Sequence, residues 1–216
     1  MESPSAISTA QTVVELCASR LPTAYKWDPL SDIQVITPSK KGEAGTQNLN
    51  RLLQEALNPP DGEKNQVSVA GRIFRVGDKV MKIKNNYNIE WVSEEEKGTG
   101  IFNGDIGTVT TIDHSEENLT VVFDGREARY DFAQLNELEP AYAMTVHKSQ
   151  GSEYRAVVLC AWNGSPYLLS RSVLYTAVTR AKELLVIVGR EEVIAAMTEN
   201  TKGNRRYTGL KLRLQQ

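Results

Sequence analysis

The sequence contains few of the residues that build disulfide frameworks and zinc sites. Its 216 residues include two cysteines and two histidines, and Cys17 and Cys160 lie far apart with no C-x-x-C spacing. This usage argues against a disulfide-rich secreted scaffold and against a zinc module. A reducing, cytoplasmic location is therefore expected.

Long hydrophobic runs are also missing. No apolar stretch approaches the roughly 18–20 residues that a membrane-spanning helix needs, and the start MESPSAIST lacks the basic and apolar regions of a secretory signal. We therefore expect no membrane partner. The content of 40% hydrophobic and 24% charged residues is ordinary for a globular protein.

An excess of positive charge is absent from the whole chain but present in its last third. The formal net charge is −2, whereas residues 141–216 hold 11 Lys or Arg against 5 Asp or Glu, a net charge of +6. Such a region can bind phosphates although the complete chain is acidic. An ordinary solvated surface would show the same asymmetry, so charge alone leaves both interpretations open.

The first 66 residues have the pattern of an α/β protein. Apolar spacing predicts a helix over 9–20 that ends at Pro22, and a β-branched run predicts a buried strand over 32–38. Residues 46–58 place leucines on one helical stripe, and the Asn58-Pro59-Pro60 sequence ends that helix.

Short alternating runs replace this pattern between about 67 and 139. Glycine, Asn and Asp separate them, which is typical of a small antiparallel barrel, and the polar stretch 93–100 predicts a mobile hairpin loop. After Pro140, strands are predicted over 141–146, 156–162 and 183–189, with a helix over 170–182. The predicted fold class is therefore α/β, with a mostly parallel sheet split by an inserted barrel at 67–139.

Two segments after the barrel carry groups suited to phosphate. In the first, Thr145, His147, Lys148 and Ser149 offer donors at the end of a predicted strand, where ligands of open α/β sheets bind. Gly151 permits close backbone approach, and Glu153 can accept a hydrogen bond from a sugar hydroxyl. Capping of the local turn explains Thr145 and Ser149 equally well.

The second segment is LYTAVTRAK, at 174–182. It places Thr176, Thr179, Arg180 and Lys182 near the predicted end of a helix. An arginine there suits charge neutralisation on a transferring phosphoryl group. The helix dipole also favours basic residues at this position whatever the function.

Taken together, the segments resemble a known family. TVHKSQGSE and LYTAVTRAK resemble motifs V and VI of the superfamily 1B DNA helicases, and DIQVITPSKKGEAGTQNLNRLL resembles their motif IV. FRVGDKVMKIKNNYNIEW and IFNGDIGTV resemble the SH3-like insertion of the RecD-like branch, relatives of the exodeoxyribonuclease V alpha subunit. The resemblance covers roughly residues 30–210 in the family's order.

The resemblance implies a RecA-like second motor domain, formed by 31–66 and 140–216, with an SH3-like barrel inserted at 67–139. Residues 1–30 would be a linker helix from a first motor domain that this chain lacks. The partners implied are single-stranded DNA, that first motor domain and other recombination or repair subunits. Movement would run 5′ to 3′, as in superfamily 1B.

Roles for individual residues also follow from the resemblance. ATP and Mg²⁺ would be shared with the missing domain and not held tightly by this chain alone. Arg180 and Lys41 would be catalytic, with Lys40 an alternative to Lys41, and Gln150, Gly151 and Glu153 would face the nucleotide. The residues implied along the DNA are Thr37, Pro38, Thr145, His147, Lys148, Ser149, Asn103 and Gly104.

The phosphate-binding loop G-x-x-x-x-G-K-[ST] is absent from the chain, and so is an acid pair that would hold magnesium and water. We therefore expect this chain to be inactive as an ATPase on its own. Two alternatives stay open: a non-enzymatic nucleic-acid-binding module, and a small α/β enzyme that acts alone. The latter lacks a nucleophile–base pair, a metal cluster and a complete phosphate loop.

Overall fold

The computed structural model describes residues 5–62, 65–162, 164–201 and 213. Residues 1–4 of the expected linker and most of the basic stretch after Thr201 lie outside the described residues. Among the described residues, no helix is long and apolar enough to cross a membrane.

The chain starts with a continuous helix that is α-helical at both ends and π-helical in the middle. An α-helix, α1 (Ala6–Glu15), continues as a π-helical segment (Leu16–Arg20) and then as α2 (Leu21–Tyr25). Ser5 caps it through a reciprocal pair of bonds with Ser8. The prediction that Pro22 ends this helix is wrong. The N–H of Leu21 donates to Leu16 O in the wider π pattern, and Pro22 then occupies the first turn of α2, where a missing N–H is tolerated.

The remaining elements follow in chain order. They are β1 (Ile33–Thr37), α3 (Thr46–Leu57), β2 (Gln66–Val69), β3 (Arg72–Arg75), β4 (Lys79–Lys82), β5 (Asn86–Val92), β6 (Lys97–Ile101), β7 (Ile106–Asp113), β8 (Asn118–Phe123), β9 (Arg126–Asp131), a 3₁₀ helix (Phe132–Glu137), β10 (Leu138–Pro140), β11 (Ala143–Thr145), β12 (Tyr154–Ala161), α4 (Arg171–Val178), β13 (Ala181–Gly189) and α5 (Glu191–Glu199).

Four strands form a parallel sheet in the order β11-β1-β12-β13. Helices cover both of its faces, because alternate residues of the central strands enter two different cores. Val35 and Val158 pack with residues of α1 and α3, whereas Ile36 and Leu159 pack with residues of α4 and α5. The near-continuous burial of β1 and β12 follows from this double cover.

The chain between β1 and β11 forms an antiparallel unit. Seven strands pair in the order β10-β4-β7-β8-β9-β5-β6, and β2 and β3 form a separate hairpin. Their inward side chains make a third core that includes Phe74, Phe123 and Tyr130, all fully buried. The fold is thus the predicted α/β class with a β unit inserted in it.

Two local predictions are wrong. The stretch 93–100 is not one loop, since Lys97–Ile101 forms β6 and pairs with β5. Gly98 lies against the ring of Trp91, so the glycine provides space for an aromatic side chain across the pair. The predicted helix over 170–182 ends at Val178; Arg180 lies in a turn and Lys182 on β13.

Candidate functional site

The parallel sheet separates the candidate residues onto two edges. Thr37 and Thr145 are register partners at the ends of β1 and β11, and they define the carboxyl edge. Tyr154 and Ala181 pair at the starts of β12 and β13, and they define the opposite, amino edge. Residues 146–153 run from one edge to the other, and Arg180 immediately precedes β13.

Arg180 is held by both segments that stand out in the sequence. Its Nη1 donates to the carbonyl of Ser152 at 2.9 Å, and its Nε donates to the carbonyl of Thr176 at 3.0 Å. Nη2 donates to Thr179 Oγ1 at 3.1 Å, while the N–H of Tyr154 donates back to the Arg180 carbonyl. The guanidinium is therefore oriented by neutral acceptors and fixed beside the 146–153 turn.

The charge of Arg180 is not neutralised within the described parts of the chain. None of the ion pairs there includes this arginine, and the side chain stays partly exposed. An oriented guanidinium without a carboxylate partner is suited to an anionic ligand, since its planar fork matches two oxygens of a phosphate.

The neighbouring residues of the amino edge are exposed. Gly151 adopts a φ of +88°, a left-handed conformation that favours glycine, and Gln150 beside it points to solvent. Glu153 lies 3.6 Å from the ammonium of Lys182, in an exposed ion pair. Sequence analysis grouped Arg180, Gly151 and Glu153, and the structure does bring them together at one edge.

Three of the residues predicted to lie along the DNA have buried side chains. The hydroxyl of Thr37 donates to the carbonyl of Ala44 at 3.0 Å, and that of Ser149 donates to Val146 O at 2.8 Å. Both side chains are buried, as is Pro38. The hydroxyls of Thr37 and Ser149 therefore stabilise the turns at the carboxyl edge. Thr145, the partner of Thr37 at the carboxyl edge, is 9% exposed.

Lys41 lies at the other edge from Arg180, so the predicted catalytic pair is separated. It follows β1 directly, in the loop before α3, which places it with the carboxyl edge. Its side chain is exposed, as is that of His147. Lys40 lines a cleft of about 570 Å³ between α3 and the β2–β3 hairpin. The resemblance grouped Lys41 with Arg180 by family role, although the predicted strands already place the two residues at opposite ends of the sheet.

Lys148 forms an ion pair that the sequence did not predict. Its ammonium contacts Glu139 of β10, and both side chains are largely covered. Glu139 pairs with Met81 across the β10–β4 ladder, so this contact ties the 146–153 turn to the inserted unit. The positive charge of Lys148 is therefore less available to a phosphate than the sequence suggested.

Asn103 and Gly104 lie in the turn between β6 and β7. The N–H of Asn103 donates to Asn85 Oδ1 at 2.8 Å, and that of Gly104 donates to Lys82 O at 2.9 Å. Ile106, just after the turn, packs in the same core cluster as Met144 and Val146. The turn therefore adjoins the carboxyl edge of the sheet.

Comparisons with known proteins identify both parts of this architecture. Residues 49–123 match the family model of the ATP-dependent RecD-like DNA helicase SH3 domain. Residues 140–188 match that of the UvrD-like helicase C-terminal domain, which includes the 146–153 turn and Arg180.

Curated relatives agree with these matches. The ATP-dependent RecD2 DNA helicase of Deinococcus radiodurans is 38% identical over 157 residues, which are 73% of this chain and 20% of that protein. The RecBCD enzyme subunit RecD of Mycolicibacterium smegmatis is 30% identical over 185 residues, 86% of this chain and 30% of that protein. The chain thus spans only a fifth to a third of their length.

A solved structure has the same fold. The crystal structure of Pif1 helicase from Bacteroides in complex with ADP-AlF3 and ssDNA superposes with a TM-score of 0.51 at 16% sequence identity. The similarity covers 99% of this chain and 54% of that one.

Proposed function

This chain belongs to the RecD-like DNA helicases, and from that membership we propose that it is the second motor half of an ATP-driven helicase that tracks along single-stranded DNA. Residues 31–66 with 140–216 form the second RecA-like domain, 67–139 the SH3-like barrel, and 1–30 the linker from a first motor domain. That first domain supplies the phosphate-binding loop. Movement is 5′ to 3′.

The observation that carries the proposal is the placement of Arg180. Its guanidinium is oriented by the carbonyls of Ser152 and Thr176, and no carboxylate within the described segments pairs with it. A group fixed in advance, with its charge free, can stabilise the charge that develops on a transferring γ-phosphoryl group. Arg180 is the arginine finger in this account.

ATP lies between this amino edge and the first motor domain. Arg180 contacts its phosphates, while Gly151, Gln150 and Glu153 lie along the nucleotide. Among the described residues, no group of three His, Cys, Asp or Glu side chains is placed to hold a metal ion. Mg²⁺ usually takes one or two carboxylates together with waters and substrate phosphates, and in this proposal the first motor domain supplies those carboxylates.

Single-stranded DNA crosses the carboxyl edge. The sugar–phosphate backbone contacts exposed Lys41 and His147 and the small exposed part of Thr145. Asn103 and Gly104 extend this surface onto the barrel. Lys41 is thus reassigned from the nucleotide to the DNA. The helicase works in the cytoplasm, and recombination or repair subunits are its partners, as the name of the RecD relative as a RecBCD subunit suggests.

The test is an ATPase measurement on the protein that carries both motor domains. With single-stranded DNA present, Arg180→Ala should lower kcat by about 10³–10⁵-fold, the usual contribution of an arginine finger. Arg180→Lys should fail nearly as badly, because an ammonium cannot reproduce the planar fork. The chain alone should release no phosphate from ATP.

Arg171→Ala is the matched control. Arg171 starts α4, the helix that precedes Arg180, and its Nε donates to Thr198 O, away from the 146–153 turn. This variant should keep the wild-type rate. Near-normal turnover in Arg180→Lys, or sustained ATP hydrolysis by the isolated chain, would contradict the proposal.

A further inference from the structure

We propose that Tyr87 and Phe102 form a platform on the barrel that stacks the bases of single-stranded DNA. The inference rests on the proposed function and adds to it a contact with bases, whereas the carboxyl edge contacts the backbone. A translocating strand needs such contacts to be tolerant of sequence, and every base offers a π-face to an aromatic ring.

The two rings are the exposed aromatics of the barrel. Tyr87 is 66% exposed and Phe102 is 41% exposed, whereas Phe74, Phe123 and Tyr130 are fully buried in the barrel core. The ring centroids of Tyr87 and Phe102 are 5.6 Å apart with an interplanar angle of 69°. Because the two exposed rings lie against each other, they form a small apolar patch with aromatic faces that a ligand can cover.

The platform is held rigidly by its backbone. The N–H of Phe102 donates to Asp105 Oδ2 at 3.1 Å, and the N–H of Asp105 donates to Phe102 O at 3.0 Å. The side chain of Arg126 pairs with Asp105 at 3.3 Å. Because the turn is ordered before a ligand arrives, little conformational entropy is lost on binding.

The position of the platform fits a strand that leaves the carboxyl edge. Phe102 starts the turn that contains Asn103 and Gly104, and Ile106 at its end packs against the core cluster to which Met144 and Val146 belong. A single strand that contacts His147 can therefore continue over this turn onto the rings.

The surrounding charge favours nucleic acid over an apolar protein partner. Exposed Lys84 precedes Asn85, whose side chain accepts from Asn103 N, so a cation lies beside the turn. The one carboxylate of the turn, Asp105, is paired with Arg126. Aromatic faces for bases and a nearby cation for phosphate are the combination that binds single strands without reading their sequence.

The experiment measures fluorescence anisotropy of a labelled oligothymidine with the full chain. Tyr87→Ala and Phe102→Ala should each weaken the Kd at least about fivefold, since one base–aromatic stack is worth about 1–3 kcal/mol. The slope of log Kd against log salt should not change, because no phosphate contact is removed. Tyr87→Phe should bind like the wild type. Urea unfolding of each variant confirms that the fold is intact.

Two controls isolate the stacking. On an abasic strand of equal length the alanine variants should match the wild type within about twofold, because the partner of the rings is gone. Tyr175→Ala removes a comparably exposed aromatic, at 67%, from α4, away from the carboxyl edge, and should also stay within about twofold.

Each result decides between the two proposals. If the wild-type chain binds DNA and both alanine variants bind equally well, or lose as much affinity on the abasic strand, the platform is excluded while the motor function stands. If the wild-type chain shows no binding to single strands, the proposed DNA-binding surface and the platform are both excluded. The ATPase result for Arg180→Ala is independent of either outcome.

Discussion

Burial decides what individual residues of this chain can do. Thr37 and Ser149 belong to segments that resemble DNA-contacting motifs, yet their hydroxyls donate to carbonyls inside the fold. Sequence identifies a residue type at a turn, but the direction of its side chain depends on the backbone that the turn adopts. The Lys148–Glu139 pair was hidden for the same reason, because it depends on how the inserted unit packs on the 146–153 turn.

The position of Arg180 was predictable because it depends on local sequence. The spacing within LYTAVTRAK sets its position after α4, and the Thr176 carbonyl that orients it comes from the same segment. Its second acceptor, Ser152 O, is 28 positions away, and only the pairing of β12 with β13 brings it near. The partnership of the two motifs therefore rested on the family resemblance.

Lys79 should give the stability of this protein an unusual pH dependence. Burial lowers the pKa of Lys79 to about 8, although the nearby Asp28 and Cys17 favour the charged form, and its Nζ donates to Leu30 O at 2.6 Å. Between pH 8 and the usual value of 10.5, the unfolded chain binds more protons at this site than the folded one. The contribution of Lys79 to the free energy of unfolding therefore rises with pH between these two values. Below about pH 8 the lysine is charged in both states, and the fold bears the full cost of the buried charge.

Comparison with Lys79→Met measures this effect. The free energy of unfolding of the wild type minus that of the variant should rise by on the order of 1–2 kcal/mol between about pH 8 and pH 9.5. Taking the difference cancels the opposing contribution of Cys17 and Cys160, whose pKa values burial raises to about 12. Urea unfolding gives the values. With the exposed control Lys84→Met the difference should stay flat, and a flat difference for Lys79→Met would show that the lysine is hydrated in the folded state.

At the scale of elements, the sequence predicted the kinds of element better than their limits. The strands β1, β12 and β13 and the helix α3 were expected within a few residues of where they lie, because burial on both faces leaves long apolar runs. The helix through Pro22 was missed, since proline normally ends a helix and the π segment that accommodates it has no sequence signature. The hairpin loop predicted over 93–100 is shorter in the structure, because Lys97–Ile101 pairs with β5 although its first residues look like part of a polar loop.

Gly107 should be essential to the close pairing of β7 with β8. A Cβ at this position in β7 would lie 2.5 Å from Val122 O and 2.8 Å from Phe123 Cδ1, and the carbonyl belongs to the paired strand β8. Gly107→Ala therefore forces the backbones apart, at an expected cost of about 1–3 kcal/mol in the free energy of unfolding. Gly62→Ala is the control, because its Cβ would meet nothing within 4 Å. Equal urea midpoints for the two variants would contradict the close packing of β7 on β8.

At the scale of the whole molecule, the barrel and the α/β domain share a buried carboxylate. Asp78 accepts hydrogen bonds from Asn58 and Gln54 of the α3 region, each at 2.6 Å, from Arg75 N at 2.7 Å, and from Tyr142 OH at 2.8 Å. Burial raises the pKa of Asp78 while these donors oppose the shift. Since four buried donors from both parts converge on one side chain, we expect a single cooperative unfolding transition.

Asp78→Ala tests this coupling. The variant removes one acceptor from four buried donors, although Gln54 and Asn58 keep the carbonyls of Ile73 and Val76. It should lose about 3–5 kcal/mol of stability, or unfold in two steps as the parts separate. Urea unfolding followed by Trp fluorescence and by far-UV circular dichroism reports both features, and Glu95→Ala, at an exposed position, controls for the loss of a carboxylate. If the variant lost less than about 1 kcal/mol of stability in a single transition, as ordinary surface substitutions do, this hydrogen-bond network would not couple the unfolding of the two parts.

The strand pairing at the base of the barrel also has a consequence for how the chain finds its fold. Val35 of β1 and Ala143 of β11 are partners although they lie 108 positions apart, and joining them through unstructured chain carries a loop-closure entropy that grows with loop length. Val80 of β4, however, lies opposite Pro140 of β10. If the barrel forms first, Val80 and Pro140 are already in contact, and the residues between them no longer count toward the loop that joins β1 to β11. Ala143, the first residue of β11, then lies three positions after the fixed Pro140. The inserted unit thereby shortens the loop that must close when β1 pairs with β11, and we expect formation of the barrel to set the refolding rate of the whole chain.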